Sequence, residues 1–410
     1  MKNNEALRCL LCKKPKCSLT GCPVHTPVPE CMALYRQDRL DEAGKLLFDN
    51  NPLSAVTSRV CDWRKFCFGN CVLNVKKMAV RWYEIEQEVS DRYLFLYRLV
   101  RDEAPNGKKV AIVGAGPAGI VATIWLYRRG FDVTLFDANE RIGGVLRYGI
   151  PPFRLDKKYV DVFERIFAGA GIDFRGGMAL GRDLDIPTLS RDYDAVFLAT
   201  GAEESIRLRI PGEERPNVIN ALAYLKNPTA FDLGKKVIVI GGGNVAMDAC
   251  RTAVRSGVET WIYYRKTFEN MPANPFEIEE AQRDGVRIKV FQAPVEVTDG
   301  GVVFRDCENV SDPETGALST RILEGTDHLV TCDTLIPAIS ERPDLAPFGE
   351  CQPSQEDRWP VADEQNRLSF SDPAINNVFC AGDFILGPKT VVEAVASARI
   401  AVEGIVSLLK

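Results

Sequence analysis

The sequence predicts an α/β protein in which a cysteine-rich α-helical domain precedes two domains built on strand–glycine turn–helix units, the second inserted in the first. Three observations carry this prediction. Eight of the thirteen cysteines lie before position 72, a glycine-rich turn follows an apolar run near position 113, and a second such turn lies near position 241. We expect the domains to span residues 1–105, then 106–230 together with 330–410, and 231–329.

The N-terminal domain is expected to be helical, because Pro29–Phe48 has apolar residues at helical spacing and little of residues 1–105 alternates as strands do. Its cysteines form two groups, which are Cys9, Cys12, Cys17 and Cys22, followed by Pro23, and then Cys61, Cys67 and Cys71. A CxxC pair with a third cysteine five positions on lets one loop place three thiolates around a metal centre. A 4Fe-4S cluster needs four ligands, and a Cys-Pro fourth member often serves a neighbouring cluster. Two incomplete groups therefore predict two clusters with ligands exchanged between the groups.

Structural zinc is the alternative for these cysteines, since zinc also accepts four thiolates. Zinc would stabilise the domain but could not carry electrons. The basic residues around the cysteines favour anionic clusters, which nearby cations stabilise. These residues are Arg8, Lys13, Lys14 and Lys16 near the first group and Arg59, Arg64, Lys65, Lys76, Lys77 and Arg81 near the second.

The first glycine turn belongs to a complete βαβ unit. An apolar run, Val110–Val113, is followed by the GxGxxG glycines, by a helical segment and by a second β-type run that ends at Asp137. This is the Rossmann-like arrangement, in which Gly114, Gly116 and Gly119 allow a tight turn, a close approach to a pyrophosphate and close helix packing. Asp137 is then placed to accept hydrogen bonds from ribose. The uncharged stretch Val110–Tyr127 also approaches the length of a membrane span, but its glycines and proline favour the nucleotide loop.

A second nucleotide unit begins at Lys236, with Gly241, Gly243 and Ala246 in the three key positions. Its next strand ends in Arg265 and Lys266 instead of an acid. A cationic strand end suits a 2′-phosphate, so this unit favours NADPH over NADH.

Three other stretches predict contacts with a cofactor. Paired glycines at Gly143 and Gly144 fit a backbone that passes a flat ring, and the strand after Asp194 leaves the sheet at Gly201. Near the C-terminus, a strand delivers Gly382 and Asp383 to a turn just before another helix. That turn can bind a polyol chain and polarise a ring through backbone N–H groups.

Composition narrows the function classes. The net charge of −5 gives no reason to expect a nucleic-acid partner. The start of the chain lacks the apolar core of a secretory signal, so we expect a cytoplasmic protein without a membrane span.

Several long motifs carry a resemblance to a known family. They include CLLCKKPKC, GAGPAG, GGVLRYGIPPFRL, GGGNVAMDACRTA and CAGDFILGPKTVVEAVASAR, and they extend over essentially the whole chain. The chain resembles the small, electron-input subunit of bacterial glutamate synthase and the related N-terminal half of dihydropyrimidine dehydrogenase. That resemblance implies two 4Fe-4S clusters in the cysteine domain, FAD on the first βαβ unit and NAD(P)H on the second.

The resemblance also implies residue roles. Cys9, Cys12, Cys17 and Cys71 would ligate one cluster, and Cys22, Cys61 and Cys67 the other, completed by Glu86 or by Gln87. FAD would be bound by Gly114, Gly116, Pro117, Ala118, Gly119, Asp137, Gly144, Leu146, Thr200, Gly201, Gly382, Asp383, Thr390 and Val391. The nicotinamide cofactor would be bound by Gly241, Gly243, Asn244, Val245, Arg265 and Lys266.

The chain departs from the family pattern at three of these places. Asp137 stands where glutamate is usual, Lys266 where a second arginine is usual, and Cys61 precedes Asp62 where the family has proline. Lysine keeps the charge but lacks the bidentate fork of arginine, so NADH remains possible beside NADPH.

We therefore predict an NAD(P)H-dependent flavin and iron–sulfur oxidoreductase that passes electrons to a larger catalytic subunit in a hetero-oligomer, of the glutamate synthase or dihydropyrimidine dehydrogenase type. No catalytic side chain is predicted, because FAD itself accepts the hydride. One alternative is a flavin disulfide reductase of the thioredoxin reductase type. That class needs a redox CxxC, and between Cys250 and Cys380 no two cysteines are closer than 19 positions. The other alternative is a zinc-stapled module that senses dinucleotides.

Overall fold

The computed structural model describes residues 4–311 and 318–410. The chain divides into two compact units. The first comprises Met1–Arg147, Pro152–Ala202 and Arg342–Lys410, and the second comprises Tyr148–Pro151 and Glu203–Glu341. The second unit thus interrupts the sequence of the first. The domain limits predicted from the sequence remain predictions.

The N-terminal part of the first unit is helical. Its α-helices are Asn4–Arg8, Lys16–Leu19, Val28–Arg36, Leu40–Asn50, Ser54–Val60 and Trp82–Leu94, with a 3₁₀ helix at Val72–Lys76. The stretch predicted as helix from Pro29 to Phe48 is two helices, because Asp38 adopts a left-handed φ of +65° and ends the first. The helices pack through a shared apolar core that includes Met32, Leu47 and Ile85.

A five-stranded parallel sheet forms the rest of the first unit. In spatial order its strands are Val378–Cys380, Ala195–Leu198, Lys109–Val113, Asp132–Phe136 and Asp173–Arg175. Helices Pro117–Arg128, Lys158–Ala170, Ile186–Asp192 and Val391–Leu409 accompany the sheet, with short helices at Val145–Tyr148 and Asp383–Leu386. Every residue of Ala195–Leu198 is buried, as expected of a strand inside a parallel sheet.

The helical part is fixed to the sheet part through Arg59. Its guanidinium donates to Asp91 Oδ2 and to the Tyr159 hydroxyl, each at 2.6 Å, and lies over the Tyr159 ring at 3.9 Å from its centroid. Both partners hold a half-buried arginine in one orientation, so the two parts of this unit share a defined contact.

The second unit contains two sheets of four strands each. A parallel sheet has the strand order Thr334–Pro337, Lys236–Ile240, Glu259–Tyr264 and Arg287–Val290. Its helices are Ala221–Lys226, Asn244–Arg255 and Pro275–Arg283. An antiparallel sheet is built from Gln292–Thr298, Gly301–Ser311, Leu318–Ile322 and His328–Val330.

The predicted fold class is confirmed: the protein is α/β, with a helical N-terminal domain and two Rossmann-like parts. The antiparallel sheet was not predicted. Within the part of the chain that the structure describes, no helix combines the length and the apolar character needed to cross a membrane.

Candidate cofactor-binding sites

The first glycine turn lies at the carboxyl end of the central strand of the five-stranded sheet. Gly114 has φ of +105°, and a Cβ there would lie 2.2 Å from the Ala199 carbonyl oxygen. A Cβ on Gly144 would lie 2.7 Å from the Gly116 Cα, so these two backbones are in close contact. The turn and the Gly143–Gly144 segment form a cradle without side chains, in which a phosphate or a ring can approach the main chain.

Two further strand ends meet this cradle. Gly201 follows strand Ala195–Leu198 with φ of +75°. Gly382 follows strand Val378–Cys380, and a Cβ on it would lie 3.3 Å from the Ala118 Cβ at the start of helix Pro117–Arg128. The structure therefore gathers most of the predicted FAD residues at one edge of the sheet, where parallel α/β sheets bind their ligands.

Asp137 lies at the same edge and is buried. One carboxylate oxygen accepts from the Ala115 N–H at 2.7 Å, and the other accepts from the Asn139 N–H at 2.7 Å. The side chain thus holds the glycine turn in place. Its contact with ribose remains a prediction.

The flavin-side turn near the C-terminus is held by a capping box. The Thr390 hydroxyl accepts from the Glu393 N–H at 3.4 Å, and Glu393 Oε2 accepts from the Thr390 N–H at 2.9 Å. Upstream, Asp383 Oδ1 accepts from the Lys389 N–H at 3.1 Å. These bonds order the backbone just before helix Val391–Leu409, so the N–H groups of its first turn have a fixed direction.

The second glycine turn repeats this design in the second unit. Gly241 has φ of +141°, and a Cβ there would lie 2.1 Å from the Ala338 carbonyl oxygen. Gly243 is the N-cap of helix Asn244–Arg255. Asn244 uses its side-chain oxygen to accept from the Asn274 N–H at 3.0 Å, which ties the loop at Met271–Asn274 to the glycine turn.

Arg265 and Lys266 follow strand Glu259–Tyr264, and Arg265 is exposed. Among residues 4–311 and 318–410, no carboxylate forms an ion pair with either side chain. Two unpaired cations at the end of the second strand are available to an anionic group.

The first cysteine cavity brings together Cys9, Cys12 and Cys17 from one segment and Cys71 from another. Apolar side chains, including Val28 and Leu73, complete its wall. Cys67 borders this cavity as well as the next one.

The second cysteine cavity contains Cys22, Cys61, Cys67 and Glu86. Glu86 is buried, whereas Gln87 donates its amide to the Ser58 carbonyl oxygen at 2.9 Å and does not line the cavity. The Thr26 hydroxyl lies 3.2 Å from Cys22 Sγ. The two groupings are those that the family resemblance implies, while metal ligation by these residues remains a prediction.

The chemistry of both cavities suits metal clusters. All thirteen cysteines are free thiols. In the described parts of the chain, no three His, Cys, Asp or Glu side chains converge as a single metal ion requires. The thiols surround two cavities, and a 4Fe-4S cluster takes four ligands of this kind.

Burial raises the pKa of four of the cavity donors. It raises that of Cys17 to about 11, that of Glu86 to about 8, and those of Cys61 and Cys67 well above their usual value. Such donors lose their protons when a metal binds, because the positive charge offsets the desolvation of the anion. Metal binding by these donors would therefore be coupled to proton release.

Comparison with known proteins identifies the family. Residues 1–95 match the family described as dihydropyrimidine dehydrogenase domain II, 4Fe-4S cluster, and residues 108–398 match pyridine nucleotide-disulphide oxidoreductase. The chain is 35% identical to the glutamate synthase [NADPH] small chain of Escherichia coli K12, over 99% of this chain and 91% of that protein. The chain belongs to the glutamate synthase small-chain family. It is also 31% identical to the NADPH-Fe(3+) oxidoreductase subunit beta of Geobacter sulfurreducens, over 92% of this chain and 61% of that protein.

Among solved structures, the chain is similar to FprA of Mycobacterium tuberculosis in complex with NADPH. The TM-score is 0.63 at 19% sequence identity, covering 74% of this chain and 84% of FprA. This similarity concerns the fold. The family models and the relatives make this member of the glutamate synthase small-chain family an NAD(P)H-oxidising oxidoreductase with FAD and 4Fe-4S cofactors.

Sequence reasoning missed several residues of these sites. Val392 lines the second cavity although it lies far along the chain from the cysteines, and Trp82 borders both cavities. Arg399, on the same helix as Val392, donates to the Val24 carbonyl oxygen at 3.2 Å and also to the Asn50 carbonyl oxygen. No sequence signal marked these residues, because their contacts join segments that lie far apart in the chain.

Proposed function

We propose that this chain is the electron-input subunit of a larger oxidoreductase, with NADPH at the second glycine turn, FAD at the first and one 4Fe-4S cluster in each cysteine cavity. The observation that carries the proposal is the exchange of donors between cavities. Cys71 joins the early group Cys9, Cys12 and Cys17, whereas Cys22 joins the later group and Glu86. Each cavity thereby has the four donors that such a cluster requires.

The choice of NADPH rests on Arg265 and Lys266. Both follow the second strand of the nucleotide unit and lack carboxylate partners within the described residues. A 2′-phosphate at the strand end would give each cation a charge-assisted hydrogen bond, which NADH cannot offer.

The flavin site supplies the change from two electrons to one. FAD accepts both electrons of a hydride together and releases them singly, so a nicotinamide donor can serve iron–sulfur clusters. The chain contributes binding and orientation: the Gly116–Gly144 cradle admits the cofactor to the backbone, and helix Pro117–Arg128 directs its N-terminus at the phosphates. We assign no side chain as acid, base or nucleophile.

Val392 supports a direct route from flavin to clusters. It lines the second cavity and follows Val391, which we propose to contact the flavin. Cys67 borders both cavities, so the second cavity lies next to the first. We propose that electrons leave the flavin through the second cavity and reach the first.

The final acceptor is proposed to be a larger catalytic subunit, of the glutamate synthase or dihydropyrimidine dehydrogenase type. The names of two relatives, glutamate synthase "small chain" and NADPH-Fe(3+) oxidoreductase "subunit beta", support an assembly of more than one subunit. In an assembly of this kind, the active site of the partner decides the chemistry.

The test is anaerobic purification of the full chain, followed by metal, sulfide and flavin analysis. We expect about eight irons per chain, one FAD, and reduction of a dye that depends on NADPH. Zinc in place of iron would reject the electron-input function and favour the zinc-stapled module. Reduction of a disulfide substrate without iron would instead favour the thioredoxin reductase type.

A further inference from the structure

One face of the helical domain exposes apolar side chains around the first cysteine cavity. Val75 is 91% exposed, Leu7 67% and Leu10 61%. Leu19, Val72 and Met78 are exposed as well. We call these six residues, together with the lysines named below, the cluster face. Apolar side chains this exposed and this close together are typical of interaction surfaces.

The cluster face is continuous, although it comes from two segments of the chain. Leu10 and Val72 line the first cavity together. The Arg8 guanidinium donates to the Met78 carbonyl oxygen, and the Met78 N–H donates to the Leu73 carbonyl oxygen at 3.1 Å. Residues 7–19 and 72–78 therefore lie side by side at the mouth of the cavity.

The charge of the cluster face is positive. Lys13, Lys14, Lys16, Lys76 and Lys77 are all exposed. Within residues 4–311 and 318–410 none of them forms an ion pair, and neither segment contains an acid. The whole chain has a net charge of −5, so this concentration of lysine differs in sign from the rest. Unpaired lysines around an apolar centre are complementary to a surface with an apolar centre and an acidic rim.

The position of the face matches an exit for electrons. Cys9, Cys12, Cys17 and Cys71 line the same cavity as Leu10 and Val72. The other cavity is lined by Val392, which belongs to the helix beside the flavin turn. The proposed electron route thus begins at the flavin and ends at the cluster face.

We propose that the cluster face is the docking surface for the electron-accepting subunit, and that this partner presents an acidic rim around an apolar patch. The inference rests on the proposed function, since it names where the proposed partner binds. An anionic membrane is the other surface that lysines and apolar side chains could fit.

The experiment uses the native complex, purified anaerobically through a C-terminal tag on the full chain. Val75→Asp places a charge at the most exposed apolar residue of the cluster face, and the double variant Lys76→Glu/Lys77→Glu reverses two of its positive charges. Leu329→Asp and Lys235→Glu are the matched controls, because Leu329 is 55% exposed and Lys235 is exposed in the second unit. Retention of the larger subunit in the complex is measured by size-exclusion chromatography at low and at high salt.

We expect both cluster-face variants to weaken the complex at least about tenfold, and added salt to weaken the wild-type complex. NADPH-dependent dye reduction and iron content should stay unchanged in all variants. Full retention of the larger subunit by the variants would overturn the proposal. So would the absence of a co-purifying subunit, or binding to phosphatidylglycerol vesicles that these substitutions abolish. Loss of dye reduction by the wild-type chain would reject the proposed function itself, whatever happens at the cluster face.

Discussion

Glu86 and Cys22 line one cavity, although they come from opposite ends of the helical domain. Burial raises the pKa of the Cys22 thiol, and the carboxylate of Glu86 raises it further. A buried pair of potential anions is unfavourable unless a cation lies between them. We therefore propose that the two side chains are ligands of one metal centre.

Replacing Glu86 by Ala should remove one cluster. We expect the iron content to fall by about four atoms per chain, while the first cavity keeps its full set of cysteines. Iron analysis and low-temperature electron paramagnetic resonance would measure the loss. Gln87→Ala is the control, because Gln87 does not line the cavity and its amide donates to the Ser58 carbonyl oxygen. If Gln87→Ala lost the cluster and Glu86→Ala kept it, the ligand assignment would be wrong.

Replacing Gly114 by Ala should release FAD and destabilise the first unit. The new Cβ would lie 2.2 Å from the Ala199 carbonyl oxygen at a φ of +105°. We expect the free energy of unfolding to fall by about 2 kcal/mol or more and flavin content to fall with it. Urea unfolding and flavin absorbance would measure both effects. Gly169→Ala is the control: Gly169 lies in helix Lys158–Ala170 with nothing within 4 Å, so this variant should be neutral or more stable. Wild-type flavin content in Gly114→Ala would argue against the cradle.

Replacing Arg265 by Ala should weaken the use of NADPH far more than that of NADH. Loss of a charge-assisted hydrogen bond to a 2′-phosphate is worth about 1.5–3 kcal/mol, or roughly ten- to hundredfold in kcat/KM. Steady-state kinetics with both cofactors would measure the ratio. Arg283→Ala serves as the control, since Arg283 lies on the exposed side of another helix near Glu279. Equal losses for NADPH and NADH would exclude the phosphate contact.

Replacing Arg399 by Gln should lower the reduction potential of one cluster. Burial lowers the pKa of the Arg399 guanidinium, and the Cys22 thiolate opposes this effect. A partly buried cation beside an anionic cluster favours the reduced state, so its loss should shift the potential down by roughly 50 mV. Potentiometric titration followed by electron paramagnetic resonance would detect the shift. Arg399→Lys should shift the reduction potential much less, because lysine keeps the positive charge. Arg191→Gln, at the surface beside Asp192, should leave the reduction potential unchanged. A shift of both clusters by the same amount would contradict a local role.

Replacing Glu341 by Gln should change how stability depends on pH. Burial raises the pKa of the Glu341 carboxyl group from 4.5 to about 7. The folded state then holds a proton that the unfolded state releases, so this group makes the wild type less stable as pH rises from about 4.5 to 7. Relative to wild type, Glu341→Gln should therefore gain up to about 3 kcal/mol between pH 5 and pH 8. Urea unfolding at pH 5 and at pH 8 would measure the gain. Glu356→Gln is the control, because Glu356 is exposed. If wild type and Glu341→Gln differed in unfolding free energy by the same amount at pH 5 and pH 8, the raised pKa of Glu341 would be wrong.

The local parts of the fold could be predicted from the sequence because their signals are local. The apolar runs before Gly114 and Gly241, the glycine spacing and the following helices all depend on neighbouring residues. The break at Asp38 escaped prediction, because no glycine or proline marks it. The antiparallel sheet from Gln292 to Val330 also escaped, since strand pairing there depends on the tertiary structure.

The functional sites also combine features that could be predicted from the sequence with features that could not. Cysteine spacing indicated metal centres, but spacing alone could not decide that Cys22 shares a cavity with Cys61, because a long helical segment separates them. The contributions of Val392 and Arg399 depend on the last helix packing beside the first domain. Such contacts between distant segments leave no pattern in the sequence of either segment.

The capped start of helix Val391–Leu409 has one more consequence. Val392 reaches the second cavity, and its predecessor Val391 is proposed to contact the flavin. A single trans peptide holds the two Cα atoms about 3.8 Å apart. The residues that would hold the flavin and border the cluster are thus neighbours at one capped helix start, so electron transfer between the two cofactors would be insensitive to solvent viscosity.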